Sequence, residues 1–196
     1  MVGEKGKDII FELYRDSRTV FRINDIALML GETETSALRK RLHYHVQKGK
    51  LLNIRQGIYA KSGYKPEEVA CLLYTPTYIS LEYVLQRAGV IFQYDSAITN
   101  ASYLSREVSV GNQTIRYRQI KGEILLNADG VILRKNNINI ATPERAFLDM
   151  LYLNSHFYFD NLHPLNKKQV KKILPIYRSK KLAEKVNQIL TGNEYR

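Results

Sequence analysis

Five polar side chains in the first third of the chain have types and spacing suited to binding nucleic acid. Ser36, Arg39, Lys40 and His43 recur every three or four residues, so on a helix they share one face, and Arg55 stands just before a Gln-Gly pair. Arginine and lysine bind guanine edges and phosphates, and short polar side chains add contacts to base edges. This pattern predicts that the helix face contacts a DNA major groove and that Arg55 contacts a phosphate. The alternative is a solvated basic face over a small core.

Two helices joined by a short turn contain these residues. The first helix is predicted from an apolar stripe, with Asn24 as its N-cap and Gly31 at its end. The second is predicted to begin at a cap provided by Thr33 or Thr35 and to run to about Lys48, with Leu residues facing inward. The stripe of the first helix consists of Ile23, Ile26, Ala27 and Leu30.

A hairpin is predicted after the second helix, and a helix and a short strand before the first. Residues 51–55 alternate in polarity, Gln56-Gly57 suits a turn, and residues 58–60 return. Apolar spacing predicts the preceding helix over residues 5–16, and Val20-Phe21 predict the strand, beside the hairpin. Helix, turn, basic helix and hairpin are the order of a winged helix-turn-helix, which we expect over residues 1–62.

Charge is concentrated at the two ends of the 196-residue chain, whose net charge is +11. Residues 1–62 hold 12 lysines and arginines against 7 acidic residues, residues 63–165 hold 9 against 10, and residues 166–196 hold 9 against 2. Such an excess favours a polyanionic partner. The last segment contains a cluster that is either a solvated face or a patch for nucleic acid or a partner: Lys167, Lys168, Lys171 and Lys172.

The remaining bulk features indicate a cytoplasmic protein. Cys71 is the one cysteine, so no internal disulfide is possible, and its surroundings in sequence predict a buried thiol. No uncharged stretch reaches the ~20 residues that span a bilayer, and no signal peptide is evident. We therefore expect no membrane partner.

A second, mixed domain is predicted over residues 63–196, which makes the chain an α+β protein. Pro66 begins a helix, Ser80 is expected to cap the next, and Thr142 with Pro143 begins a third. Between residues 97 and 141 the apolar residues alternate and turn pairs recur, which predicts a meandering antiparallel sheet flanked by helices. The C-terminal segment is predicted to be helical and basic.

Two groups of side chains in this domain each allow two structural interpretations. Arg116 and Arg118 share a strand face that is either an anion-binding strip or the solvent face of a half-buried sheet. Asp149 is either a structural acceptor or a contact to a partner.

The histidines and acidic residues do not form a recognisable catalytic set. His43 and His45 are two residues apart and cannot share a helix face, and His156 and His163 lack paired ligands at metal-binding spacing. Phosphate-binding loops and nucleophile elbows are also missing from the sequence. We therefore expect a protein that is not an enzyme and that uses no cofactor or metal.

Two stretches in the middle of the chain match the motifs of a known family. The first is residues 78–82 (YISLE) with Leu85 and residues 89–91; the second is residues 140–149 (IATPERAFLD) on to Tyr152. These stretches resemble the AbiEi family of abortive-infection antitoxins. Together with a similar winged domain, through Gly49, Leu51, Ile54 and residues 57–59, the resemblance covers most of residues 20–155. It departs at residues 145–147, where the family more often has lysine and a smaller aliphatic residue.

The resemblance implies a type IV toxin–antitoxin system that acts in phage defence. It implies a winged domain that represses its own operon at inverted repeats, and a C-terminal domain that counteracts a nucleotidyltransferase-like toxin without a stable complex. The alternatives are a stand-alone winged-helix transcription factor whose second domain senses a ligand or partner, and an interaction module.

Overall fold

The chain divides into two compact units, Met1–Val69 and Ala70–Arg196. The computed structural model describes residues 8–33 and 35–191. The division lies within a helix, α4 (Pro66–Leu73), a few residues after the boundary expected at residue 62. In the part of the chain that is described, no helix has the length and apolar character needed to cross a membrane.

The first unit is a small sheet with helices. Its elements in chain order are α1 (Ile9–Arg15), β1 (Val20–Arg22), α2 (Ile23–Leu30), α3 (Thr35–Gln47), β2 (Leu52–Arg55) and β3 (Ile58–Ala60). Strand β3 lies between β1 and β2 and pairs antiparallel with both. The predicted early strand and the predicted hairpin are confirmed. The predicted start of the first helix, at residue 5, lies outside the described residues, as does residue 34, which precedes α3.

The start of α2 differs from the prediction. The helix already includes Ile23, so Asn24 is not its cap. Instead the Asp25 carboxylate accepts a hydrogen bond from the backbone N–H of Arg22 at 3.2 Å. This carboxylate near the helix N-terminus satisfies a donor that the helix itself cannot pair. The end of α2 is as predicted, because Gly31 adopts the left-handed conformation, with φ of 72°.

One apolar core holds the first unit together. Residues from all three helices and from the strands contribute to it, which explains why the apolar periodicity identified the helices. The buried members are Ile9, Leu13, Phe21, Ile23, Ile26, Ala27, Leu38, Leu42, Leu51 and Tyr59.

The second unit contains a six-stranded sheet. After α4, the elements are β4 (Thr77–Ile79), α5 (Glu82–Arg87), β5 (Ile98–Ser102), β6 (Arg106–Val110), β7 (Gln113–Gln119), α6 (Gly122–Leu125), β8 (Val131–Arg134), β9 (Ile138–Ala141), α7 (Pro143–Leu153), α8 (Lys167–Ile173) and α9 (Lys180–Thr191). Short 3₁₀ turns join β8 to β9 and follow α8. Helices and sheets in one chain confirm the α+β class.

The sheet is mixed, so the prediction of an antiparallel sheet is wrong in part. Its strand order is β6-β7-β5-β4-β9-β8. The β6–β7, β8–β9 and β4–β5 pairs are antiparallel, whereas β5–β7 and β4–β9 are parallel. Alternating polarity specifies which face of a strand is buried, but it does not specify the neighbouring strand. The sequence pattern therefore could not show that β7 lies between β5 and β6, although β6 precedes β7 in the chain.

Two helices in this unit are capped differently: α7 by the residue directly before it, and α5 by a side chain from a distant strand. Thr142 caps α7 as predicted, because its hydroxyl accepts from the N–H of Arg145 at 3.3 Å. Ser80 does not cap α5. The hydroxyl of Thr99, on β5, accepts from the N–H of Tyr83 at 3.0 Å and takes that role.

Candidate nucleic-acid interface

Helix α3 presents the four predicted polar residues on its exposed side. Ser36, Arg39, Lys40 and His43 are all exposed, whereas Leu38 and Leu42 on the opposite side are completely buried in the core of the unit. The inward leucines fix the rotation of the helix about its own axis. The polar side chains must therefore face outward together.

Two cations near this face, Arg41 on α3 and Lys48 directly after it, have partners within the unit. Arg41 forms an ion pair with Glu32, in the turn between α2 and α3. The ammonium of Lys48 lies 5.8 Å from the centre of the Tyr44 ring, a cation–π distance. Arg39 and Lys40 thus differ from Arg41, whose guanidinium is used to hold the helix–turn–helix connection.

The two histidines of α3 have different environments. The side-chain amide of Gln47 lies 3.0 Å from Nε2 of His43, one helical turn away, within hydrogen-bonding distance. His45 lies partly in the interior, and its burial lowers its pKa, an effect to which Lys50 and Arg41 add. Burial therefore favours the neutral form of the His45 imidazole, whereas His43 is exposed and faces outward.

Arg55 lies at the exposed end of β2, directly before the hairpin turn. Gly57 in that turn has φ of 73°, a conformation that side chains rarely adopt. Its carbonyl accepts from the N–H of Ile23 at 2.9 Å, which ties the turn to the start of α2. The hairpin carrying Arg55 is thus fixed to the same unit that carries α3.

The C-terminal lysine cluster lies on α8 in the second unit. Asn166 caps this helix by accepting from the N–H of Lys168 at 3.0 Å. Lys168, Lys171 and Lys172 are exposed around the buried residues of the helix. The ammonium of Lys167 instead donates to the carbonyl of Leu190 at 2.9 Å, so this lysine stabilises the contact between α8 and α9.

Acidic side chains pair with Arg116 on β7, where an anion-binding strip was one of the two interpretations of the sequence. Arg116 donates to Asp95 at 2.8 Å and to Glu107 at 2.9 Å. A hydrogen bond from the N–H of Ala97, together with the Arg116 guanidinium, lowers the pKa of Asp95. Because both acids already neutralise Arg116, this side chain does not offer a free positive charge.

A buried polar network joins Tyr78 and Ser80 to Arg145 and Asp149 on α7. Asp149 is completely buried, and its carboxylate accepts hydrogen bonds from Tyr177 at 2.6 Å, from Ser80 at 2.7 Å and from Tyr78 at 3.0 Å. Arg145 lies 3.3 Å from the same carboxylate. Burial raises the pKa of Asp149, while the Arg145 guanidinium and the three hydroxyl donors oppose that shift.

Arg145 also holds the loop after α6. It donates to the carbonyl of Ile124 at 2.7 Å and to that of Asp129 at 2.7 Å, and it is completely buried. Asp149 is therefore a structural acceptor, one of the two roles predicted for it. The network was missed in the sequence because its members are separated by up to about a hundred residues; the one signal was that Tyr, Ser, Arg and Asp occur inside otherwise apolar stretches.

The remaining candidates for chemistry do not assemble. Among residues 8–33 and 35–191, no three histidine, cysteine, aspartate or glutamate side chains lie close enough to hold a metal ion. Cys71 is buried as predicted, and its thiol lies 3.6 Å from the carbonyl of Asn139. Comparison of the sequence with models of known protein families and with characterised proteins gives no significant match.

Proposed function

We propose that residues 1–62 form a winged helix-turn-helix that binds duplex DNA. The observation that carries this proposal is the exposed polar face of α3, formed by Ser36, Arg39, Lys40 and His43, on a helix whose other side is core. The element order from α1 to β3 and the hairpin with Arg55 support it. In this proposal α3 enters the major groove and the hairpin contacts phosphates.

The proposed roles of the side chains differ. Arg39 has the planar guanidinium that binds a guanine edge through two hydrogen bonds, which gives sequence preference. Lys40 and Arg55 contact phosphates and contribute affinity without sequence preference. Ser36 and His43 donate to or accept from base edges or phosphate oxygens.

Salt dependence of binding tests this proposal. The full chain would be titrated by fluorescence anisotropy against duplex DNA from upstream of its own reading frame, at 50 to 200 mM salt. Contacts with ~4–6 phosphates give a slope of log affinity against log salt near −4 to −5. Tight binding that does not respond to salt would contradict it.

We further propose that the protein is a transcriptional autoregulator and a type IV antitoxin that counteracts a nucleotidyltransferase-like toxin. This part rests on the resemblance of residues 78–91 and 140–152 to AbiEi antitoxins. The basic first unit fits repression of its own operon at inverted repeats. Growth on co-expression with an adjacent nucleotidyltransferase-like gene tests it: rescue is expected, and failure to rescue would favour a stand-alone transcription factor.

A further inference from the structure

The exposed face of α3 extends beyond the four residues of the candidate site. Gln47, the last residue of the helix, is exposed and follows His43 by one helical turn, so the two side chains lie on one side of α3. Leu42 and Val46, which directly precede them, pack in the core of the first unit. Because these apolar residues fix the rotation of the helix, His43 and Gln47 are held outward together.

A hydrogen bond joins the two side chains. The amide of Gln47 lies 3.0 Å from Nε2 of His43. Rotation of an amide by half a turn exchanges its oxygen and its nitrogen, so the same contact suits either neutral tautomer of the ring. With either tautomer, Gln47 occupies Nε2 and leaves Nδ1 as the ring nitrogen available to a ligand.

This contact restricts the orientation of the His43 ring. An exposed side chain samples several rotamers, whereas a hydrogen bond to a base edge requires one direction of donor or acceptor. A side chain that is already held in one orientation loses less conformational entropy when it binds. The contact with Gln47 therefore prepares the imidazole for a directional hydrogen bond.

We propose that Gln47 is a positioning residue of the DNA interface, through which the contact of His43 becomes selective for one base pair. This inference rests on the proposed binding of duplex DNA by α3. In it, Nδ1 of His43 forms the hydrogen bond to the base edge. Gln47 holds the ring through Nε2 and does not contact that base itself.

The orientation of the Gln47 amide also affects which base suits His43. A neutral imidazole has one donor and one acceptor nitrogen. When Nε2 accepts from Gln47, Nδ1 carries the proton and can donate to O6 or N7 of guanine or to O4 of thymine. When Nε2 donates to Gln47, Nδ1 can accept from the amino group of cytosine or adenine. The base preferred opposite His43 therefore depends on Gln47.

NMR spectra of the full chain without DNA test the contact itself. Long-range ¹H–¹⁵N correlations report the ring nitrogens of the four histidines of the chain, and His43→Ala identifies the signals of His43 by their loss. Gln47→Ala should shift the Nε2 resonance of His43. It should leave the resonances of His156 and His163 unchanged, because both lie in the second unit.

Base preference tests the role of the contact. The duplex that the full chain binds would be changed one base pair at a time, and each affinity would be measured by anisotropy. His43→Ala should reduce discrimination at one base pair about fivefold or more. Gln47→Ala should reduce discrimination about threefold at the same base pair, and by less than about twofold further when residue 43 is already alanine, since coupled residues are not additive.

Two further variants separate the hydrogen bond from other effects of Gln47. Gln47→Met keeps an unbranched side chain of similar length, but its sulfur cannot donate and accepts only weakly, so it should behave as Gln47→Ala does. Gln188→Ala is the matched control, because Gln188 is exposed on α9 in the second unit, and it should change neither affinity nor preference. Circular dichroism would verify that every variant folds.

The outcomes distinguish this inference from the proposed function. A wild-type chain that selects no duplex sequence would overturn the proposed function and this inference with it, whatever the NMR spectra show. Selective binding that His43→Ala or Gln47→Met leaves unchanged would overturn the inference alone. The same holds if Gln47→Ala changes the preference at a different base pair from His43→Ala, or leaves the His43 resonance unshifted.

Discussion

Gly130 combines a backbone conformation and a lack of space that only glycine satisfies. Its φ is 74°, and a Cβ at this position would lie 2.8 Å from Cδ1 of Ile173 and 2.9 Å from Cβ of Arg145. Gly89 has φ of 69° but has no neighbouring atom within 4 Å of the same position. Comparing alanine substitutions at these two glycines therefore distinguishes the free-energy cost of the left-handed backbone from the cost of steric crowding.

Gly130→Ala should destabilise the second unit more than Gly89→Ala does. A left-handed residue with a side chain costs roughly 1–2 kcal/mol, and overpacking adds roughly 1–3 kcal/mol. We expect a loss of about 1–2 kcal/mol for Gly89→Ala and about 2–5 kcal/mol for Gly130→Ala, measured by urea unfolding. Equal losses would mean that Ile173 and Arg145 move aside at no cost.

Asp149 should be much more important for stability than an exposed acid that also pairs with arginine. Asp149→Asn leaves Arg145 buried without a countercharge, which costs about 3–5 kcal/mol. Glu123 pairs with Arg178 at 3.0 Å with both side chains exposed, so Glu123→Gln should cost about 0–1 kcal/mol. The free energies of unfolding from urea titrations at pH 7 would be compared. A small loss for Asp149→Asn would show that the network is not a structural requirement.

At the scale of elements, local patterns in the sequence predicted local structure. The inward leucines of α3, the cap of α7 by Thr142 and the hairpin at Gly57 each depend on neighbouring residues, and each was predicted. The cap of α5 by Thr99 was not, because that hydroxyl comes from another strand. The same reason explains the parallel pairing of β5 with β7.

For the candidate site residues too, local properties could be predicted from the sequence and tertiary contacts could not. The exposure of the polar face of α3 could be predicted because the helix period determines it. The pairing of Lys167 with the Leu190 carbonyl could not, because α8 and α9 are separate helices that meet by folding. Sequence spacing placed the four lysines in one cluster. Only the tertiary contact shows that Lys167 has a structural role that the other three do not share.

The proposed recognition helix makes a prediction of its own. Arg39→Ala should cost about 1–3 kcal/mol of binding to operator DNA and relax preference at one base pair. Arg55→Ala should weaken binding to all sequences alike and reduce the salt slope by about 1. Both would be measured by anisotropy on operator and scrambled duplexes.

The control for these variants is Arg15→Ala, which removes the same charge from an exposed position on α1. It should change affinity little. Alanine at Ser36, Arg39, Lys40, His43 and Arg55 together would remove every proposed contact, so an unchanged operator affinity for that variant would mean that α3 is not the recognition helix.

At the scale of the whole molecule, the positive charge and the two structural units are distributed unevenly along the chain. Basic residues are concentrated on the first unit and on the C-terminal helices, and the two stretches on which the proposed antitoxin role rests lie after residue 77. Four residues of those stretches belong to the buried network and support the fold of the second unit: Tyr78, Ser80, Arg145 and Asp149. They therefore do not form a surface, and any protective surface must be sought among exposed residues such as those of α8.

In the proposed function, repression and protection from a toxin use different surfaces and should be separable by point variants of the full chain. Arg39→Ala with Lys40→Ala should abolish operator binding and leave growth rescue intact. Lys168→Glu, Lys171→Glu and Lys172→Glu together should leave operator binding intact and reduce rescue, if α8 binds a nucleic acid on which the toxin acts. Lys167 is left unchanged because its contact with Leu190 is structural.

Each variant serves as the control for the other, since both retain the full chain and both change exposed cations. Exposed lysines usually affect stability within ~0.5 kcal/mol each, and circular dichroism with matched expression levels would verify folding. Operator binding would be measured by anisotropy, and rescue by growth on co-expression with the toxin. Loss of rescue in the α3 variant would mean that protection requires DNA binding, and one surface would then serve both activities.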